Sequence, residues 1–153
     1  MYNIEKFLIE AKKQTYANEK VEKVSSSRLN SKDYEYKKDN MIYHDTYFGN
    51  TNFIAEEAVY IDDKIYWAMN YYGTTLDESL SEETMDNALR PALMLVGNDI
   101  DIIPVRGPKQ YINGEYTYTF KVDGNINCFT GYECIYKNDK KIYELRCHGG
   151  LVK

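Results

Sequence analysis

Two histidines, His44 and His148, are the only imidazoles in the chain, and three cysteines, Cys128, Cys134 and Cys147, are the only thiols. An imidazole beside a carboxylate and an amide could move protons or orient a polar ligand. The residues around His44 offer such partners if the chain turns tightly at Gly49-Asn50 and again at Asp62-Asp63. Two-residue turns at both places would set His44 opposite Ala55, Ala55 opposite Asn70, and Glu57 opposite Ala68. His44, Glu57, Asn70 and Tyr72 then share one face, with two alanines leaving space. The opposite face would carry Glu56 and Asp45 beside Trp67, Tyr43 and Tyr71. A carboxylate against an indole is a setting that raises a pKa.

Other groupings are weaker. Cys147 and His148 are adjacent, so a strand sends them to opposite sides and no local Cys–His dyad forms. No H-x-x-x-H, H-E-x-x-H or paired-cysteine spacing points to a metal, and no cofactor motif is present. Arg106, in Arg106-Gly107-Pro108, suits capture of a carboxylate or phosphate. Gly149-Gly150 is followed by no helix, so it is not a phosphate loop. The candidate ligand contacts are therefore His44, Glu57, Asn70, Tyr72, Trp67, Glu56 and Arg106, with no catalytic set complete.

These residues need strands to hold them. The spacing of Ile4, Phe7, Leu8 and Ala11 predicts an amphipathic helix within residues 1–16, capped by Asn3. Residues 17–32 are polar and read as a long connection. Strands are expected over 34–37, 41–48, 51–61 and 64–73. A second helix follows, opened by Ser79 or Ser81, carrying Met85, Ala88, Leu89, Ala92, Leu93 and Val96, and stopped by Gly97. Pro91 predicts a kink or break near Leu89-Arg90. After a loop with Pro104 and Pro108, strands are expected over 115–122, 129–137 and 141–148. In the last hairpin, Glu133 would face Arg146, with Tyr132, Cys134, Tyr136, Tyr143, Leu145 and Cys147 on the core side. The fold class is α+β: a curved antiparallel sheet of about seven strands, order α-β4-α-β3, packed on two main helices in a single domain, 1–153.

Composition narrows the function classes. The 153 residues include 43% apolar and 28% charged side chains, a globular mixture. A formal charge of −5 disfavours a cationic grip on nucleic acid. No apolar run is long enough to span a bilayer and no signal peptide is evident, so a cytoplasmic protein is expected. An odd number of cysteines does not make a disulfide framework. The 16 tyrosines suit sheet edges or an aromatic cleft. Both faces of the first strand unit read as apolar, which predicts burial by sheet curvature or in a homodimer.

Tyr43-His44-Asp45-Thr46-Tyr47-Phe48-Gly49, Met69-Asn70-Tyr71-Tyr72-Gly73, Leu89-Arg90-Pro91-Ala92-Leu93, Val105-Arg106-Gly107-Pro108, Phe129-Thr130-Gly131 and Cys147-His148-Gly149-Gly150 occur in that order. Together they resemble a bacterial domain family of unknown function. Its members stand alone or follow a repressor-type helix-turn-helix domain, and the resemblance runs from Phe7 onward. It implies a sensing or dimerising module and supplies no activity to carry over. The segment ahead of the first strand is too short for such a DNA-binding domain, so the standalone form, not itself DNA-binding, is expected. The leading expectation is a small-ligand-binding or sensing module. The alternative is a small enzyme using His44 with Glu57 or Glu56 as general acid/base, and a third is a toxin–antitoxin or phage-related interaction protein.

Overall fold

The computed structural model describes residues 2–15, 17 and 21–153. Helix α1 spans Ile4–Lys13, opened by Asn3, whose side chain accepts from the Lys6 amide at 3.0 Å. The expected helix reached residue 16; Met1 and Tyr16 lie outside the described residues, as do residues 18–20 of the long connection. The described remainder of that connection is bonded to the first strand: the Val24 amide donates to the Asp33 carbonyl at 2.9 Å.

Four strands follow: β1 (Lys32–Lys38), β2 (Met41–Gly49), β3 (Asn52–Ile61) and β4 (Lys64–Thr75). Helix α2 (Glu82–Leu93) then begins at Ser81, whose hydroxyl accepts from the Thr84 amide at 3.2 Å. Pro91 does not break it. Proline sits in the last turn, where its missing N–H removes one bond near an end that already lacks partners. Four more strands complete the chain: β5 (Gln110–Asn113), β6 (Tyr116–Asn125), β7 (Cys128–Lys137) and β8 (Lys140–Leu151). All eight join one curved antiparallel sheet in the order β1-β2-β3-β4-β8-β7-β6-β5. Eight strands agree with the expected number of about seven; the additional one is β5, four residues between Pro108 and Gly114.

Three departures in pairing change what the strands present. At the first turn Gly49 pairs with Phe53, so three residues intervene rather than two. Gly49 has φ +90°, and a Cβ there would meet the Asn52 carbonyl oxygen at 2.1 Å. This turn needs glycine. His44 therefore lies opposite Ala58, not Ala55. An odd shift moves every β3 side chain to the other face. At the second turn Ile61 does pair with Lys64 across Asp62-Asp63, both residues at positive φ. Beyond it a bulge between Val59 and Tyr60 shifts the register, so Glu57 faces Met69 and Ala55 faces Tyr71. The last hairpin also carries a bulge, between Ile135 and Tyr136. Glu133 faces Leu145 and Tyr132 faces Arg146, correcting the expected Glu133–Arg146 pair.

With these registers the inner face of β2–β4 carries Tyr43, Asp45, Phe53, Ala55, Glu57, Val59, Trp67, Met69 and Tyr71, packed with Ile4, Phe7, Leu8 and Ala11 of α1 and Met85, Ala88 and Ala92 of α2. Moving β3 to its observed side leaves Ile42, Phe48, Ile54, Tyr60, Tyr66 and Tyr72 on the outer face, so the unit carries large apolar side chains on both sides. On the outer face, Ile54 and Tyr72 stand half-exposed.

Candidate functional site

The inner face holds an unusual number of charges. Lys12, Asp45, Glu57, Arg106 and Glu133 are all buried, none more than 1% exposed. Charges are found at such depth when they are paired, because an isolated ion in a low-dielectric interior loses its hydration without return. Lys12 Nζ lies 2.7 Å from both carboxylate oxygens of Glu57, which also accepts from the Tyr43 hydroxyl. Burial pushes the lysine's pKa down, and the glutamate opposes that shift. Farther along the same face, Arg106 forms a two-pronged pair with Glu133, Nε to Oε2 at 2.9 Å and a terminal nitrogen to Oε1 at 2.7 Å. Tyr118 and Tyr143 donate to the same carboxylate at 2.5 and 2.9 Å. Burial and then the Glu133 charge hold the Tyr118 hydroxyl well above its ordinary pKa, so it remains a donor.

Asp45 is the odd member. The Tyr71 hydroxyl donates to its Oδ1 at 3.3 Å, and its Oδ2 has no hydrogen-bond partner among the described residues. Burial and the neighbouring Glu57 charge raise its pKa well above the ordinary carboxyl value. A buried acceptor left unmatched costs about 1–3 kcal/mol. Asp45 lies against a cavity of about 290 Å³ bounded by β1–β4, the segment bearing Lys23, α2 and the loop bearing Arg106. Phe53, Tyr71 and Arg106 line its inner part, with the guanidinium 5.1 Å from the centre of the Tyr71 ring. Tyr34 and Tyr47 stack at 6.2 Å on another wall, carrying Lys23 and Lys32 over their rings. Glu82, Asp86, Leu89 and Arg90 of α2 close the remaining side.

The residues singled out in the sequence fall into separate places. The grouping of His44, Glu57 and Asn70 is not formed, because Glu57 points inward and His44 outward. Asn70 is exposed on the outer face, between Glu56 and His148, and Tyr72 is half-exposed beside Arg146. Trp67 is buried, its Nε1 donating to the Ile126 carbonyl at 2.9 Å and its ring stacked on Phe129. It stands away from the cavity wall and from Glu56. Arg106 does line the cavity, but its guanidinium fork is taken by Glu133. Cys147 is buried and its thiol is pushed up to about 12 by that burial. Cys134 is buried as well and Cys128 is exposed.

His44 has its own setting. Its Nε2 lies 2.5 Å from Asp33 Oδ2 and its Nδ1 3.5 Å from Glu35. Burial alone would raise the Asp33 pKa, but bonds from Ser27, Ser31 and His44 overcome it and hold the carboxyl far below its ordinary value. His44 and Glu56 share a depression of about 240 Å³ with Ser27, Arg28, Thr46 and Tyr60.

Lys12 and Glu133 were not selected as site residues from the sequence, and Asp45, read there with Glu56 on the face of Trp67, was not among the candidate contacts. Lys12 follows Ile4 and Leu8 at four-residue steps, which places a lysine on the apolar stripe of α1. Asp45 lies between Tyr43 and Tyr47 on one side of β2. Each was visible as a charge on a face otherwise committed to the core.

Among the described residues, no set of three His, Cys, Asp or Glu side chains is arranged to hold a metal, and no helix is long and apolar enough to cross a membrane. Neither a curated protein nor a solved structure matches the chain. Residues 45–152 match one family model, a span that includes Asp45, Tyr71, Arg106 and Glu133 and leaves out α1 and His44. The chain belongs to the family described as Domain of unknown function (DUF5680).

Proposed function

We propose that this domain is a small-molecule-binding module, with its site in the cavity between the inner face of β2–β4 and α2. The observation that carries the reading is the unmatched Oδ2 of Asp45, buried against that cavity. Pockets that take small ligands are concave, largely aromatic or apolar, and carry a few fixed polar groups. Here the aromatic walls are Phe53, Tyr34, Tyr47 and Tyr71, Asp45 and Arg106 are the buried polar groups, and Lys23, Lys32, Glu82, Asp86 and Arg90 bring further charges to the lining. The net charge of −5 agrees with a small-molecule partner better than with nucleic acid.

An enzyme built on His44 and Glu57 has no geometric footing, since the two point to opposite faces. With Glu56, His44 shares a depression, yet both ring nitrogens already face carboxylates. That arrangement suits a structural clasp between β1 and β2 better than proton transfer to a substrate.

A fragment library screened by two-dimensional NMR against the full chain tests the reading. Hits are expected to shift the amides of Asp45, Phe53, Tyr71 and α2. Leu89→Trp, which fills the α2 side of the cavity, should abolish those shifts. Hits confined to the His44 depression, or unaffected by Leu89→Trp, would count against this site.

A further inference from the structure

We infer that the cavity receives a molecule with a single cationic head group, an amine or amidinium, seated on Asp45, with a planar body against the tyrosine and phenylalanine rings. This rests on the cavity being a binding site, and it adds the chemical class of the ligand.

The argument begins with a count of charges. On the inner face, among the described residues, the fully buried cations are Lys12 and Arg106 and the fully buried acids are Asp45, Glu57 and Glu133. Lys12 satisfies Glu57 and Arg106 satisfies Glu133, each at 2.7 Å. Asp45 is left over. Ionised, it gives the cluster one negative charge in excess; protonated, it leaves the cluster neutral. A monovalent cation against Oδ2 is the ligand group that balances the ionised form, and it supplies the donor that this oxygen lacks. Against ionised Asp45 an anionic head group would add a second excess charge and a neutral one would leave the first uncompensated; a neutral head group is matched only by the protonated acid, which is what the benzamide arm below reads.

The buried groups that act on Asp45 are Lys12 on α1, Glu57 on β3, Tyr71 on β4 and Arg106 on the loop before β5; the cavity wall adds Glu82, Asp86 and Arg90 of α2, Lys32 of β1 and Lys23, which are not fully buried and stay outside the count. Burial and Glu57 favour the protonated acid in the empty protein. Seating a cation reverses that preference, so the Asp45 proton leaves to solvent as the ligand binds. Asp45 exposes no surface of its own. A head group must therefore part the side chains lining the inner wall, and closure behind it excludes water from the ion pair. The planar body follows from the rings available: Tyr71, Phe53 and Tyr47 all line the cavity.

Benzamidine, benzamide and benzoate are near-isosteric probes that differ in head-group charge. Titrated into the full chain near neutral pH and followed by NMR and calorimetry, benzamidine should bind at least tenfold more tightly than benzamide, and benzoate weakest. Calorimetry in two buffers of different ionisation enthalpy should report proton release with benzamidine alone. In Asp45→Asn the benzamidine preference and the proton release should both disappear. The inference is overturned if benzamide or benzoate matches benzamidine in the wild-type chain, a comparison that needs no variant. It is also overturned if Asp45→Asn keeps the preference. Equal binding of all three at the cavity would remove the cation and leave the site standing. Binding of none of them at the cavity removes the inference, and the fragment screen then decides the site on its own.

Discussion

His44 and Asp45 are neighbours on β2, and they enter two different worlds. His44 points outward, where Asp33, Glu35 and Ser27 share the work of satisfying charge and part of the imidazole is open to solvent. Asp45 points inward, where Lys12, Glu57, Arg106 and Glu133 are sealed from water and every charge depends on a named partner. The same residue type therefore titrates in opposite directions on the two faces: Asp33 is held low by hydrogen bonds, and Asp45 is held high by burial beside Glu57. The lesson is that a carboxylate's behaviour is set by the number of donors aimed at it once water is gone. Asp33 has several; Asp45 has one hydroxyl at 3.3 Å.

The sharpest way to test that contrast is to remove one charge from each region. Arg106→Leu strands Glu133 in the core with only tyrosine hydroxyls, and should cost about 3–5 kcal/mol in urea unfolding. Arg28→Ala on the outer face breaks an exposed 3.4 Å contact to Glu56 and should cost no more than about 0.5 kcal/mol. Equal losses would erase the distinction between the faces. Lys12→Met should resemble Arg106→Leu, leaving Glu57 without its cation. Lys12→Met with Glu57→Leu should regain most of that loss, because an apolar pair of similar volume replaces the ions without leaving a stranded charge. Failure of the double variant to recover would mean that Lys12 and Glu57 act through other neighbours.

Much of the fold could be read in the chain because helices and strands announce themselves by period. The apolar stripe of α1 and the caps at Asn3 and Ser81 needed only local information. The registers did not, and the candidate site depended on them. Glycine at 49 marks a turn but does not distinguish a two-residue from a three-residue loop, and that one residue sent Glu57 to the face of Asp45 rather than His44. The bulges at Val59/Tyr60 and Ile135/Tyr136 have no marker in residue type. They are set by how the twisted sheet packs on the helices, a tertiary property. Glu133 moved from an exposed pairing with Arg146 to a buried one with Arg106 for the same reason. What the residues did disclose, once alternation is taken seriously, is that Lys12 and Asp45 stand where apolar side chains were due.

Replacement of the outer carboxylate gives the next effect in size. Asp33 accepts from Ser27 and Ser31 and meets His44. Asp33→Asn removes the charge-assisted part of those bonds and should cost about 1–3 kcal/mol at neutral pH. Its folded pKa lies below the unfolded value of about 3.9. The stability it confers is thus complete above that value and is lost as pH falls toward the folded pKa. The difference between wild type and Asp33→Asn should shrink when unfolding is followed from pH 6 down to pH 3. A constant difference would show that hydrogen-bond geometry, not charge, is what Asp33 contributes.

Asp45 should show the opposite sign and a smaller effect. Its folded pKa is above the unfolded value, so the folded state binds the extra proton. Stability from this group is full below about pH 3.9 and falls as pH rises toward the folded pKa, at about 1.4 kcal/mol for each pH unit in that window. Asparagine keeps the shape and cannot ionise. Asp45→Asn should therefore match wild type near pH 4 and exceed it near pH 8, by on the order of 1 kcal/mol once relaxation around the site is allowed for. A cationic ligand in the cavity would reverse the ordering, since it binds the ionised wild-type site and finds no charge in the variant. If Asp45→Asn is instead less stable at every pH, then the carboxyl has a partner in solution that supports its charge, and the unmatched oxygen on which the ligand argument stands is matched after all.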